Sequence, residues 1–414
     1  MTTTDATDLA SRADQVLGGG ATHAVRSYSP SIHVARAQGA RKWLVDGREL
    51  VDYTMGHGAL LLGHAHPAVV EAVQQQVARG THYGASHPLE IEWAEQICRL
   101  VDSVAQVRFT ASGTEAGMLA ARLARAATGR DLVLKLDDHF HGWYDSLAVN
   151  LGSNGRVEAP PGVPAAVASA TRVVPSGDIA ALGEALADGA VAAMFIEASG
   201  AHYGKEQLSP QYVRDAAALC REHGTLFVVD EVVTGFRVSP GGIQATIGVR
   251  PDLSTFGKIM AGGLPGGAVG GRHDVMELLR LSLTADATPS GPPHITHPGT
   301  FNANPLTASA GIATLRLVAD GSAQRTADAY AMRLESVLRE GLSAAGVPGR
   351  VWRLSSMVHC ELDDPARQAR LSTAMRDEGV DLLRTSAFCS VAHGDAELEW
   401  TRAAFDRALQ GLRR

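Results

Sequence analysis

Val107-Arg108-Phe109-Thr110 runs directly into Ala111-Ser112-Gly113-Thr114-Glu115, and from Met118 the chain continues MLAARLARAATG to Gly129. The first piece reads as a short buried strand. The last repeats apolar positions at helical spacing and stops at glycine, so it reads as a helix. A strand feeding a helix through a small-residue turn is the building unit of an α/β fold. The same alternation continues. Leu132–Leu136 and Val191–Ile196 read as further strands, and Ser209-Pro210 supplies the N-cap and first residue of a helix running to about His223 and closing on Gly224. Thr225–Val229 follows as a strand ending at Asp230-Glu231. The pattern predicts an α/β fold, with a mainly parallel central sheet and helices on both faces.

Toward the two ends lie strand-like pieces at Lys42–Val45, Val351–Arg353 and Met357–Glu361, and amphipathic helices at Thr326–Ala345 and Asp395–Gly411. They are expected to form one smaller α+β domain built from both termini: residues 1–60 join it, 61–302 make the large domain, and 303–414 complete the small one. Two stretches rich in Gly, Pro, Ser and Ala, 151–171 and 283–299, are expected at the surface as lids or linkers.

Composition narrows the function classes. In 414 residues, 45% apolar and 20% charged is an ordinary globular mixture, and 37 basic against 44 acidic residues, scattered along the chain, argue against nucleic acid as a partner. Cys98, Cys220, Cys360 and Cys389 form no Cys-x-x-Cys pair, so neither a zinc site nor a disulfide framework is indicated and no metal is expected. The first fifteen residues lack the basic and apolar regions of a secretory signal, and no apolar run is long enough to span a bilayer. A cytoplasmic protein with no membrane partner is expected. The 44 glycines, several in clusters such as Gly262-Gly263 and Gly266-Gly267, indicate close backbone approaches.

Four features carry chemistry. Ser112-Gly113-Thr114 brings backbone N–H groups and hydroxyls to a helix N-terminus, a natural anion site, though an N-cap with a tight turn explains it equally well. Asp230 closes an apolar strand at the sheet edge where ligands bind in open α/β folds, and a capping acid is its plain alternative. Lys258 stands in the apolar, Gly-rich stretch Thr255–Pro265, 28 residues after Asp230. Desolvation there lowers an amine's pKa and makes it a nucleophile able to form a Schiff base; the alternative is a surface lysine. Phe140-His141-Gly142 offers an aromatic face beside an imidazole, or simply a core Phe and a satisfied His. An anion cradle, an aromatic plate, a carboxylate and a desolvated lysine are together what pyridoxal 5′-phosphate requires: a phosphate seat, a stacking partner, an acid for the pyridine nitrogen and an amine for the aldehyde.

On these residues, with Leu60–Pro67, Phe109–Ala116, Asp230-Glu231-Val232-Val233-Thr234-Gly235-Phe236-Arg237, Pro251–Lys258 and Gly299-Thr300-Phe301, the chain resembles the class III, fold type I pyridoxal-phosphate aminotransferases. Within them it is most similar to the glutamate-1-semialdehyde aminomutase branch. The resemblance implies that Lys258 is the Schiff-base lysine and Asp230 the partner of the pyridine nitrogen. Ser112, Gly113 and Thr114 would hold the phosphate, with Phe140, His141 and His202 also at the cofactor. Val232 would lie on the ring face opposite the aromatic. Thr300 would reach the phosphate of the other subunit, which implies a homodimer. Arg26 matches an arginine that clamps a substrate carboxylate, and His57 stands near the substrate where a Trp is expected. Other departures are Phe140 for Tyr, and Glu197–His202 in place of a Glu-Pro-Val-x-Gly-Asn run, which puts His202 where an Asn meets the cofactor's phenolic oxygen. The Phe388–His393 stretch lacks the insertion that bears the aminomutases' acidic residue.

The activity implied is transfer of an amino group from a carboxylate-bearing amino acid to an oxo acid. An aminomutase or other isomerase would use the same residues without releasing the intermediate, and Pro160–Pro164 resembles part of an aminomutase lid. A third reading is a cofactor-binding protein without turnover.

Overall fold

The computed structural model describes residues 6–26, 28–280 and 294–412; residues 283–293 of the second Gly/Pro-rich loop lie outside them. The chain forms two compact units, Met1–Pro67 with Arg325–Arg414, and Ala68–Gln324.

The second unit is organised by a sheet of seven strands: β1 (Gln106–Thr110), β2 (Leu132–Leu136), β3 (Thr171–Val174), β4 (Val191–Ile196), β5 (Leu226–Asp230), β6 (Leu253–Gly257) and β7 (Gly267–Gly271). Their order across the sheet is β1-β7-β6-β5-β4-β2-β3. Pairing is parallel from β6 to β3, and β7 alone runs antiparallel to both of its neighbours. Every residue of β4 is buried, as a strand covered on both faces requires.

Four helices matter for the site: α1 (Pro88–Leu100), α2 (Gly113–Thr128), α3 (Pro210–Glu222) and α4 (Pro305–Val318). In α2 the apolar face is Ala116, Leu119, Ala120, Leu123 and Ala124, spaced at one helical turn, and it belongs to the same core cluster as Val133, Phe195, Val228 and Val269 of the sheet. Burying each leucine contributes about 2 kcal/mol. Ser112 caps the start by accepting from Glu115 N–H at 3.2 Å, and Gly129 ends the helix in the left-handed region at φ 66°. Ser209 likewise caps α3, accepting from Tyr212 N–H at 3.1 Å. Helix α4 packs on α1, where Trp93 donates its indole N–H to the Met260 carbonyl at 2.9 Å.

The first unit holds two small sheets. Val34–Gln38, Arg41–Leu44 and Glu49–Asp52 are joined by Val380–Asp381, which pairs in parallel with Glu49–Asp52. Gly349–Leu354, Met357–Leu362 and Ser386–Phe388 form the other. Tyr53, Leu334, Leu338, Phe405 and Leu409 are among the residues of its core. The strand pairing between residues 49–52 and 380–381 is what makes one unit out of both ends of the chain. Residues 151–171 carry more structure than a bare loop, with Asn150–Leu151 pairing with Val157–Glu158 and a helical turn at Ala165–Ala168. Among the described residues no helix is long and apolar enough to cross a membrane.

Candidate active site

The carboxyl ends of β2, β4, β5 and β6 and the N-terminus of α2 meet at one edge of the sheet. Asp230 is the last residue of β5, buried, and its Oδ2 accepts from His141 Nδ1 at 2.8 Å while Oδ1 accepts from Val232 N–H at 3.0 Å. That bond fixes the proton of His141 on Nδ1. Burial lowers the pKa of His141 more than Asp230 raises it, so the imidazole is neutral, and its buried Nε2 has no hydrogen-bond partner.

Val232 lies over the start of α2: a Cβ on Gly113 would stand 2.9 Å from Val232 Cγ2, and one on Gly257 3.3 Å from Val232 Cγ1. The phosphate-cradle candidates, Val232 and the residue preceding Lys258 are therefore neighbours. Gly142 has φ 94°, and a Cβ there would come within 2.7 Å of Thr114 Cα, which brings the Phe140–Gly142 turn against the same helix start. Ser112 spends its hydroxyl as the N-cap, whereas the first-turn amides of Gly113 and Thr114 have no intrahelical acceptor and stay available to an anion.

Lys258 follows the all-buried strand β6 in a left-handed backbone conformation, φ 52°, which is uncommon for a residue with a side chain and is a form of strain that clusters at functional sites. Burial lowers its pKa, and the pull of Asp230 and Glu197 does not make up the difference. A second lysine also has a lowered pKa: burial brings Lys135 on β2 down to about 8. Its ammonium is already engaged by the carbonyls of Val149 at 3.0 Å and Leu147 at 3.4 Å and by Asn150 Oδ1 at 2.7 Å. Lys258, by contrast, directly follows Gly257, which abuts Val232 and Gly113.

Phe140 presents its ring openly, 64% exposed, as the wall of a pocket does. Its backbone N–H donates to Glu197 Oε1 at 2.8 Å. His202 is exposed on the tight turn after β4, with His202 and Tyr203 both at φ 53°. Thr300 is exposed in a turn, and its carbonyl accepts from His82 Nε2. Arg26 and His57 belong to the first unit. Arg26 is exposed and donates to Thr22 Oγ1 at 3.2 Å, and the ring of His57 meets that of His23 edge-on at 5.2 Å.

Glu197, which opens the Glu197–His202 run, is a residue to which the sequence assigned no role of its own. It directly follows β4 as Asp230 closes β5, it is buried, and desolvation together with the neighbouring Asp230 pushes its pKa up to about 8. The signal was present: an acid placed directly after a wholly apolar strand. Among the described residues no group of three or more His, Cys, Asp or Glu is placed to hold a metal ion.

The donor set fits pyridoxal phosphate on three structural grounds. A helix start offers unpaired amides, a glycine leaves room where Phe140 and His141 approach it, and a buried acid is steadied by a neutral imidazole.

Comparison with known proteins agrees. The sequence model of the aminotransferase class-III family matches residues 22–393. A glutamate-1-semialdehyde 2,1-aminomutase of Chloroflexus aurantiacus is 39% identical, over 97% of this chain and 95% of that protein. Among solved structures, an omega-transaminase from Sphaerobacter thermophilus superposes with a TM-score of 0.91 at 34% identity, covering 99% of this chain and 98% of the other. A transaminase with PLP bound superposes with a TM-score of 0.91 at 30% identity, over 100% of this chain and 98% of that one.

Proposed function

The chain belongs to the class III aminotransferase family, and from that premise we propose that it is a pyridoxal-phosphate-dependent aminotransferase acting through Lys258, with a carboxylate-bearing amino acid as donor and a 2-oxo acid as acceptor. The carrying observation is the convergence of Asp230, His141, Val232, the α2 start and the Gly257-Lys258 turn at one sheet edge.

When bound, pyridoxal 5′-phosphate supplies an aldehyde that condenses with amines and a ring that accepts the electron pair from the substrate carbon. Each protein group has a part in this reading. The amides of Gly113 and Thr114 hold the phosphate, with the dipole of α2 behind them. Phe140 and Val232 flank the ring, and His202 lies at its rim. Asp230, oriented by the two hydrogen bonds it accepts, is the carboxylate that would keep a proton on the pyridine nitrogen. Lys258, whose pKa burial lowers from the ordinary lysine value, serves as nucleophile and then carries the proton to and from the substrate Cα. On the family resemblance alone, Arg26 is assigned to a substrate carboxylate, which its planar fork can take bidentately, and His57 to the substrate.

We assign Thr300 to the neighbouring subunit's phosphate in a homodimer, a reading supported by its exposure beside the exposed ring of Phe301. The four free cysteines suit a reducing cytoplasm.

The aminomutase named among the relatives favours one alternative, isomerisation within a closed site. The two readings separate on one experiment: amino donors are supplied with and without a 2-oxo acid. The aminotransferase reading predicts sustained turnover only with the acceptor; product from a single amino substrate alone would establish the mutase.

A further inference from the structure

We propose that Glu197 is a positioning residue of the cofactor pocket: one buried side chain ties the loop that carries Phe140 to the loop that carries His202, and fixes both beside Asp230. The inference rests on the cofactor reading above and names a residue which that reading does not use.

Three bonds make the clip. Phe140 N–H donates to Glu197 Oε1 at 2.8 Å, Tyr203 N–H donates to Glu197 Oε2 at 3.4 Å, and Glu197's own N–H donates to His139 Nδ1 at 2.9 Å. The side chain thus reaches both loops, and its backbone is held in turn by the residue before Phe140. The sheet dictates the meeting place. β2 and β4 are parallel neighbours with Lys135 opposite Phe195, and β4 and β5 are parallel neighbours with Ile196 opposite Val229, so one further step along β4 and β5 sets Glu197 next to Asp230.

The loop after β4 needs such a tie. His202 and Tyr203 both hold φ 53°, a region disfavoured for residues with side chains, so an amide fixed from outside adds to the turn's own backbone bonds in keeping its shape. An acid at this place is otherwise unfavourable. Burial and Asp230 both oppose its charge; His139 is kept neutral by burial and His202 sits on its own loop, and the attraction of Lys258 and of Lys135, whose ammonium is also engaged by carbonyls, does not overcome them. A neutral carboxyl still accepts two amide hydrogens. Glu197 therefore holds the loops without adding a second negative charge beside Asp230, whose ionised form the pyridine nitrogen needs.

The test compares Glu197→Ala and Glu197→Gln with the wild type by hydrogen exchange at individual amides and by cofactor affinity from fluorescence titration. Glu197→Ala is expected to speed exchange at both Phe140 and Tyr203 by about tenfold or more. It should also weaken pyridoxal-phosphate binding by about tenfold, the effect of losing two hydrogen bonds of ordinary net strength. In Glu197→Gln one carboxylate oxygen becomes an NH2 group that cannot accept, so one of the two amides should stay protected and the affinity loss should be smaller. Unaltered protection of the strand β5 amides shows that the fold is intact, and if Glu197→Ala fails to fold, the one-amide outcome in Glu197→Gln decides. Unchanged exchange at both amides in Glu197→Gln, or altered exchange with wild-type affinity, overturns the proposal. A wild-type protein that binds no cofactor would instead sink the functional reading beneath it.

Discussion

Each unit of the molecule buries a cluster of charges, and the two treat them in opposite ways. In the first unit Lys42 lies between Asp52, 3.2 Å away, and Asp381, while His64 Nε2 meets Asp52 at 2.6 Å and Arg376 Nε meets Asp381 at 3.0 Å. Burial works against the charges of Lys42 and Asp52, yet their partners prevail: Lys42 rises to about 12 and Asp52 falls to about 2. In the second unit burial prevails. Lys258 and His141 are lowered despite Asp230, and Glu197 is raised to about 8. The first cluster holds Lys42 and Asp52 in their ionised forms and ties residues 49–52 to 380–381. The second shifts a lysine, a histidine and a glutamate toward their neutral forms, which is how groups are prepared for proton transfer rather than for stability.

The sharpest way to break this contrast is Lys258→Ala, expected to abolish turnover because nucleophile and proton carrier disappear together, while the phosphate seat still binds the cofactor; steady-state assay with bound-cofactor absorbance checks both halves. Next is Asp230→Ala, expected to cost several orders of magnitude in kcat, since general acid–base help alone is worth roughly a hundred- to ten-thousandfold. In the first unit the matching change is Lys42→Met. It leaves Asp52 and Asp381 facing each other, and denaturant unfolding should show a loss of about 3–5 kcal/mol, with little effect on the intrinsic affinity of folded protein for pyridoxal phosphate.

Arg26→Lys should lower kcat/KM for amino acids by about ten- to a hundredfold while sparing amines that lack a carboxylate, because an ammonium cannot reproduce the planar fork. Equal losses on both would make Arg26 structural. The smallest effect concerns pH. The folded value of Asp52 lies below its unfolded value of about 4, so its contribution to stability is whole above that pH and is lost as the pH falls toward about 2. Asp52→Asn should flatten the stability profile of the first unit in that window.

Much of this was legible in the sequence, for identifiable reasons. Leu132–Leu136, apolar except for Lys135, and the wholly apolar Val191–Ile196 are short runs of the kind that covered strands show, and both fall at the expected residues. Strand β5 sits one residue later than Thr225–Val229, which makes Asp230 part of the strand and fixes its direction. Strand β7 was not readable: Gly267–Gly271 has a single branched residue, Val269, and takes its conformation from the pairing on either side. In the site, Asp230 and Lys258 announced themselves by polarity in apolar surroundings. The His141–Asp230 bond joins residues 89 apart, and the loop clip at Glu197 joins residues 57 apart, distances at which spacing carries no information.

One measurement bears most directly on the central claim. The chain has four lysines, Lys42, Lys135, Lys205 and Lys258, and two of them, Lys135 and Lys258, are buried amines of lowered pKa. Borohydride reduction of the cofactor-loaded protein, followed by peptide mapping, reports which lysine the cofactor is joined to. The account predicts attachment on the peptide carrying Lys258 and none on the peptide carrying Lys135, whose ammonium is committed to backbone carbonyls and Asn150. Attachment at Lys135, or no covalent attachment at all, would contradict it.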